Sequence, residues 1–177
     1  MRVSELDPAL KFGVALILLI IANLALIWFT RLQPQGEPWQ VVEVISGELV
    51  KMNQGNRTET VRLIGVRAPS PDQAPFGGEA RARLEQLLPK GATALVQTDL
   101  QQRSDDDQLL AYVWSGEQMV NQVLIAEGYT LANVTPPNVQ YKELLNNAQS
   151  RARLLELGIW NPERPLRRLP RGERRSR

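Results

Sequence analysis

Residues 58–66 read Thr-Glu-Thr-Val-Arg-Leu-Ile-Gly-Val, a β-branched run in which apolar and polar side chains alternate. A period of two predicts a strand that turns one face to a core. Upstream, Trp39–Ile45 (WQVVEVI) and Glu48–Met52 (ELVKM) read as strands meeting at Ser46-Gly47, a hairpin-like turn, and residues 53–56 (NQGN) turn the chain into the 58–66 run. Downstream, Ala92–Thr98 (ATALVQT) and Gln108–Trp114 (QLLAYVW) supply two more strands. Helical spacing occurs three times. Gly78–Leu88 gathers Ala80, Leu84, Leu87 and Leu88 on one face and leaves Arg81, Arg83 and Glu85 outside. Met119–Glu127 is short and apolar and ends at Gly128, suited to a left-handed cap. Asn138–Leu157 follows Pro136-Pro137 with Asn138 as its expected N-cap, repeats Tyr141, Leu144, Ala148, Ala152 and Leu155, and stops at Gly158. This order predicts an α+β domain: an OB-type five-stranded β-barrel with three helices.

Ahead of the barrel, Phe12–Thr30 (FGVALILLIIANLALIWFT) carries no charge and is bracketed by Lys11 and Arg31. A helix of that length spans ~28 Å, close to the ~30 Å hydrocarbon thickness of a bilayer. Trp28 and Phe29 at one end suit a membrane interface, and no small-x-small cleavage site follows. A single N-terminal transmembrane helix that stays uncleaved is therefore expected, in preference to a removed signal. Arg2 and Lys11 outweigh Arg31, which places the N-terminus in the cytoplasm and the body on the non-cytoplasmic side. Asn23, mid-span, either bonds a neighbouring helix or is inert. The chain thus divides into a flank (1–11), a membrane anchor (12–30), a Pro/Gly-containing linker (31–38), the barrel domain (39–162) and an arginine-rich tail (163–177) too poor in apolar residues to fold alone.

The net charge of +2 hides a division. Residues 1–39 balance; residues 40–163 hold 11 basic and 15 acidic side chains, a net of −4. Beyond them Arg164, Arg167, Arg168, Arg171, Arg174, Arg175 and Arg177 face Glu173 alone, a net of +6. The tail is either solvated or contacts anionic lipid, an acidic partner or nucleic acid. An acidic body opposes polyanions, so a membrane-protein complex is the expected partner. With 0 Cys and 0 His, the chain has no disulfide, thiolate nucleophile, imidazole base or Cys/His metal ligand. Its chemistry must run on carboxylates, arginines, lysines and hydroxyls.

From Val41 to Pro162 the chain resembles the thermonuclease family of staphylococcal-nuclease-like domains. The landmarks are VISGELV (44–50), VRLIGVRAP (61–69), FGGEA (76–80), LAYV (110–113), MVN (119–121), AEGY (126–129) and GIWNP (158–162), in family order and near family spacing. The resemblance implies the same barrel with three helices, and calcium-dependent phosphodiester hydrolysis. In that family carboxylates hold the ion, a glutamate acts as, or helps to position, the general base for water, and two arginines neutralise the phosphate.

Carried over position by position, the resemblance implies a dismantled site. The Asp-Gly-Asp-Thr turn is Ser46-Gly47-Glu48-Leu49, so Glu48 keeps one carboxylate and Ser46 loses the other. The first phosphate arginine is Arg62; the second metal-ligand aspartate is Arg67; the threonine beside it is Ala68; the catalytic glutamate is Ser70; the second phosphate arginine falls at Gln108. Serine is no base at neutral pH without a proton acceptor. A cation at Arg67 opposes a divalent ion by at most about 6–7 kcal/mol, taking ~5 Å and an effective dielectric of ~20. No catalytic or metal residue is expected intact, and no cofactor.

Arg62 either pairs with Glu48 or, with Arg67, forms an anion pocket. Asp105–Asp107 read as a solvated turn in preference to a metal site; Glu43 and Glu59 are expected to face outward. Tyr112 and Trp160 are expected to pack, while Trp39 and Trp114 are candidates for an interface. The expected function is a membrane-anchored nuclease-like domain that has lost catalysis and serves as a binding or assembly module. Two alternatives stand beside it. One is a weakly active calcium nuclease using Glu48, Arg62 and a relocated carboxylate; the other is non-catalytic nucleic-acid binding through the tail.

Overall fold

The computed structural model describes residues 8–30 and 34–166, with side chains on the first helix described over 12–23. The chain forms two units, one ending at Gln33 and one beginning at Pro34.

The first unit is a single helix, α1 (Pro8–Thr30). Its described apolar side chains face outward, Leu18 and Leu19 each 61% exposed. Asn23 donates its side-chain amide to the carbonyl of Leu19 at 3.0 Å, so its hydrogen bond is made within its own helix. Among the described residues no helix is long and apolar enough to cross a membrane. The span expected over 12–30 runs past the side chains described on α1.

In the second unit the strands are β1 (Glu37–Val44), β2 (Leu49–Gln54), β3 (Arg57–Leu63), β4 (Gly65–Arg67), β5 (Thr93–Gln97), β6 (Leu109–Ser115), β7 (Gln118–Met119) and β8 (Leu131–Asn133). The helices are α2 (Phe76–Leu87), α3 (Val120–Ala126) and α4 (Lys142–Leu154), followed by a 3₁₀ turn at Gly158–Trp160. The main sheet runs β3-β2-β1-β5-β6-β7 and closes where β3 pairs with β6 in parallel. The barrel proper therefore has the five expected strands, β1, β2, β3, β5 and β6, with no open edge between β3 and β6.

Local detail departs from the simple alternation for physical reasons. A bulge between Val41 and Glu43 shifts β1 by one residue, so Val44 and not Glu43 turns inward beside Trp39 and Val41. The run 58–66 is not one strand. Gly65, at φ 72°, breaks it after Leu63 and sends β4 to pair with β8 instead. A Cβ at Gly65 would meet Leu145 Cδ1 at 2.5 Å, so the close packing of α4 requires the glycine. β6 is buried on both faces, with α3 packed against it and Tyr141 set edge-on to Tyr112 and Trp114.

The core gathers Val50, Met52, Val61, Leu63, Ala111 and Val113 from the strands with Leu84, Leu124 and Leu145 from the three helices. Every described core residue belongs to the unit that begins at Pro34, so this unit carries a hydrophobic core of its own and is expected to fold without α1. Trp39 and Trp114, expected at an interface, are only 4% and 1% exposed. Trp114 donates to Gln97 Oε1 at 3.2 Å and lies edge-on to Tyr141. Tyr112 is fully buried beside Tyr141, and Trp160 is half-buried under the Arg153 guanidinium, 4.4 Å from its ring.

Three expectations on the helices change. α4 starts after Tyr141, and Asn138 does not cap it: its side chain clamps the backbone N–H and carbonyl of Gln101 at 2.8 and 2.7 Å. The buried face of α4 is Leu145, Ala148 and Ala152, leaving Leu155 exposed because the helix ends before it. Arg83 is not outside but grips Glu127 with two hydrogen bonds of 2.6 and 2.8 Å, joining α2 to the end of α3.

Candidate functional site

The hairpin between β1 and β2 places Ser46, Gly47 and Glu48 at the mouth of the barrel. Ser46 Oγ accepts the Glu48 N–H at 3.3 Å, and the Glu48 carbonyl accepts the Leu63 N–H at 3.0 Å. That second bond extends the β2–β3 ladder by one step and lays the Glu48 side chain beside Arg62. Arg62 Nη2 then donates to Glu48 Oε1 at 3.0 Å, and Arg62 Nη1 donates to Gln108 Oε1 at 3.3 Å. Glu48 Oε2 accepts the backbone N–H of Ala68 at 2.6 Å. Ser46, Glu48, Arg62 and Gln108 thus form one constellation. Arg62 bridges the carboxylate and the amide, and its pairing with Glu48 is the geometry present.

Ser70 stands apart on an exposed loop. Its hydroxyl and its backbone N–H both face Gln73 Oε1, at 3.0 and 2.9 Å. An amide oxygen is too weakly basic to take the serine proton, so Ser70 is not activated as a nucleophile or base. Arg67 ends β4 and shares with Arg62 a polar cleft of about 250 Å³, whose walls include Ser104, Asp105, Asn133 and Thr135.

The loop that delivers Gln108 is held by an ion network. Glu59 accepts from Arg57 Nε at 2.7 Å and from Arg103 Nη2 at 2.9 Å; Arg103 also reaches Asp107 at 3.0 Å. Glu59 is therefore not outward-facing but an anchor 16% exposed, and Asp107 is a turn residue tied to Arg103. Asp105 and Asp106 are exposed, as a solvated turn requires. The hydrogen bond from Arg103 is the main cause that holds the Glu59 carboxyl below its ordinary pKa, burial opposing it and Arg57 reinforcing it. A depressed carboxyl pKa stabilises the fold above the unfolded value and loses that contribution as the pH falls through the folded value. Glu59→Gln is therefore expected to lower Tm by about 2–5 °C near pH 7. The gap should close as the pH falls below about 4.3, in thermal scans from pH 7 to pH 3. A gap constant across that range would show that the charge on Glu59 is not its source.

A hard divalent cation such as calcium needs 6–8 oxygen ligands, usually several from carboxylates. Here Glu48 is the constellation's only carboxylate, and both its oxygens already accept hydrogen bonds. Among the described residues no group of three or more His, Cys, Asp or Glu side chains could hold a metal ion. This donor set does not fit calcium. The family resemblance marks Glu48, Arg62 and the replaced positions, but it carries no signal for the Ala68 N–H, a backbone donor. Of the seven tail arginines, Arg164 is described: it binds Glu79 at 3.0 Å and lies over Phe76. Arg167, Arg168, Arg171, Arg174, Arg175 and Arg177 lie outside the described residues.

Comparison with known proteins is consistent with this barrel. A family model described as staphylococcal nuclease homologue matches residues 60–162. A thermonuclease of Staphylococcus intermedius is 34% identical over 132 residues, covering 71% of this chain and 77% of that protein. The thermonuclease of Staphylococcus hyicus is 31% identical, covering 71% and 76%. Endonuclease YncB of Bacillus subtilis (strain 168) is 28% identical, covering 66% and 58%.

Proposed function

Because the chain belongs to the staphylococcal nuclease homologue family, we propose that it keeps the family barrel, has given up phosphodiester hydrolysis, and works as a binding or assembly module held at a membrane by residues 12–30. One observation carries the loss of chemistry: the carboxylate of Glu48 is spent on Arg62 and on the Ala68 N–H. A metal ion there would have to displace a charged hydrogen bond without a second carboxylate to offset the loss. The position of the family's glutamate supplies no base to deprotonate water, since Ser70 there faces an amide oxygen. Gln108 supplies no second charge to the phosphate clamp.

Support for the anchor comes from length and exposure. α1 has 23 residues and so extends ~34 Å, its 12–30 stretch is uncharged, and its described leucines and isoleucines are all more than half exposed. Arg2 and Lys11 ahead of the 12–30 stretch, against Arg31 behind it, favour the body on the non-cytoplasmic side. The partner proposed is a membrane-protein complex, because the acidic barrel disfavours free polyanions.

The rival reading is a weakly active calcium nuclease, favoured by the relatives, which are named as nucleases. The unit from Pro34 to Arg177 separates the two. Assayed on single-stranded DNA and RNA with and without calcium, it is expected to show no calcium-stimulated cleavage. Losing a base costs about 10²–10⁴-fold and losing a charge-stabilising donor about 10²–10³-fold. Calcium-stimulated turnover that Arg62→Ala abolishes would sink the proposal.

A further inference from the structure

We propose that the polar cleft shared by Arg62 and Arg67 is a docking site for a protein partner, and that it takes a carboxylate side chain flanked by apolar residues of that partner. The inference rests on the reading of this chain as a non-catalytic assembly module and names the chemistry of what it assembles with. The cleft opens where the chain parts at Gly65, β3 staying in the barrel while β4 leaves to pair with β8. Residues 62–67 all line it, and they bring two half-buried arginines to one volume of about 250 Å³. Asn133 and Thr135 add an amide and a hydroxyl. Glu48 and Gln108 fix the Arg62 guanidinium beside this space. Its other walls come from two loops already fastened together. Asn138 clamps both backbone groups of Gln101, at 2.8 and 2.7 Å, and Asp99 accepts the Gln140 N–H at 3.2 Å. Walls fixed in advance spare a ligand the cost of ordering them.

The lining selects the ligand class. Among the described residues no aromatic ring lines the cleft, so a nucleobase entering it would find nothing to stack on. Asp105 stands on its wall with Asp106 beside it, both exposed, and an extended phosphate chain would meet these like charges as well as the acidic body. A single carboxylate avoids that conflict. Its two oxygens match the planar fork of a guanidinium, and the pair gains strength where both groups are partly withdrawn from water. Apolar neighbours of the carboxylate also have a place to go. Leu100 precedes the clamped Gln101 and Val139 follows Asn138, and both side chains stand exposed, at 79% and 40%. The fastened loops therefore present apolar surface next to the charged cleft, which a phosphodiester backbone would leave unused.

The full chain in nonionic detergent would be titrated into a dye-labelled, end-capped Ser-Leu-Glu-Leu-Ser peptide and followed by fluorescence anisotropy, with empty micelles as the blank. Binding is expected to be at least ~10-fold tighter than to the Ser-Leu-Gln-Leu-Ser peptide, whose amide cannot form a charged pair. Arg67→Gln should erase that preference. Asp105→Asn removes a like charge from the cleft wall and should tighten the glutamate peptide about two- to threefold, a gain that no loss of folding can produce. Leu100→Gln should weaken both peptides about threefold and leave Tm unchanged, because the side chain is exposed. The arginine-rich C-terminus is intact in every variant, so an effect of Arg67→Gln belongs to the cleft. Equal affinity for the two peptides, or an unchanged preference in Arg67→Gln, would overturn the proposal. So would stronger displacement of the label by oligothymidylate than by unlabelled peptide at equal charge, which would assign the cleft to nucleic acid. The titrations are run with calcium chelated. Cleavage seen when calcium is restored would sink the reading of lost hydrolysis, while the peptide preference stands or falls by its own measurement.

Discussion

Asn121→Leu is expected to destabilise the barrel by about 3–5 kcal/mol, the largest loss from any single polar side chain here. Asn121 is fully buried at the start of α3, and its amide serves three backbone groups. Oδ1 accepts the Val113 N–H at 2.9 Å, while Nδ2 donates to the carbonyls of Ile64 at 2.9 Å and Ala111 at 3.3 Å. Leucine has nearly the same volume, so the cost comes from desolvated backbone groups and not from a cavity. The Ala111 carbonyl keeps a second donor, the Ile64 N–H, leaving Val113 N–H and Ile64 C=O stranded at about 1–3 kcal/mol each. The bonds straddle the β3–β6 seam where the barrel closes, next to the pairing of Arg62 with Leu110. Loosening that seam should also part Arg62 from Gln108. Thermal denaturation of residues 34–177 checks the first effect, with a fall in Tm of about 10 °C or more. A change within a degree or two would show that water takes over the role of the amide.

The barrel strands were legible because each is a short apolar or β-branched run bounded by turn residues, with a clear period of two in 58–63. What alternation does not encode is where one strand is cut by a distant neighbour. TETVRLIGV looks continuous, and only Leu145 of α4, some 80 residues later, explains why it breaks at Gly65. Trp39 and Trp114 illustrate the same limit. Their burial depends on the closed barrel and on the helices packed over β6, not on flanking sequence. Asn138 is another case. A polar residue after two prolines and before a periodic run has the form of an N-cap, yet its donor and acceptor satisfy the Gln101 loop instead.

At the candidate site the residue types were legible and their engagements were not. The loss of carboxylates at Ser46, Arg67 and Ser70 is what the resemblance to the family implies at each position. That both oxygens of Glu48 are already engaged depends on a backbone amide and on Arg62 reaching across two strands. Glu59 lies on the same face of β3 as Val61 and Leu63, opposite Met52, near the strand's start, where the loop 103–107 covers it through Arg103. Charge that reads as solvated in one dimension is here the fastening of the loop that presents Gln108.

Gly158→Ala is expected to cost about 3 kcal/mol and to release the C-terminal strap before the barrel melts. Gly128 and Gly158 pack backbone to backbone, with the Ile159 N–H donating to the Gly128 carbonyl at 2.9 Å. A Cβ at Gly158 would overlap the Gly128 carbonyl, with its carbon only 2.7 Å away; a Cβ at Gly128 would lie 2.6 Å from the Leu157 carbonyl carbon. Both residues also sit at positive φ, 76° for Gly128 and 54° for Gly158, where an L side chain adds roughly 1–2 kcal/mol. The neighbour that must give way is backbone on both sides, so the strain cannot relax through a rotamer. Separation of the two segments would undock Ile159 from Phe76 and Leu131 and remove the fixed starting point of the tail. Hydrogen exchange should show the Ile159 amide losing protection while core amides such as Val113 keep theirs, with Tm lower by about 10 °C. The double variant should lose less than the sum of the single ones, because one alanine already opens the contact the other would strain. Additive losses would show that the two glycines serve separate turns.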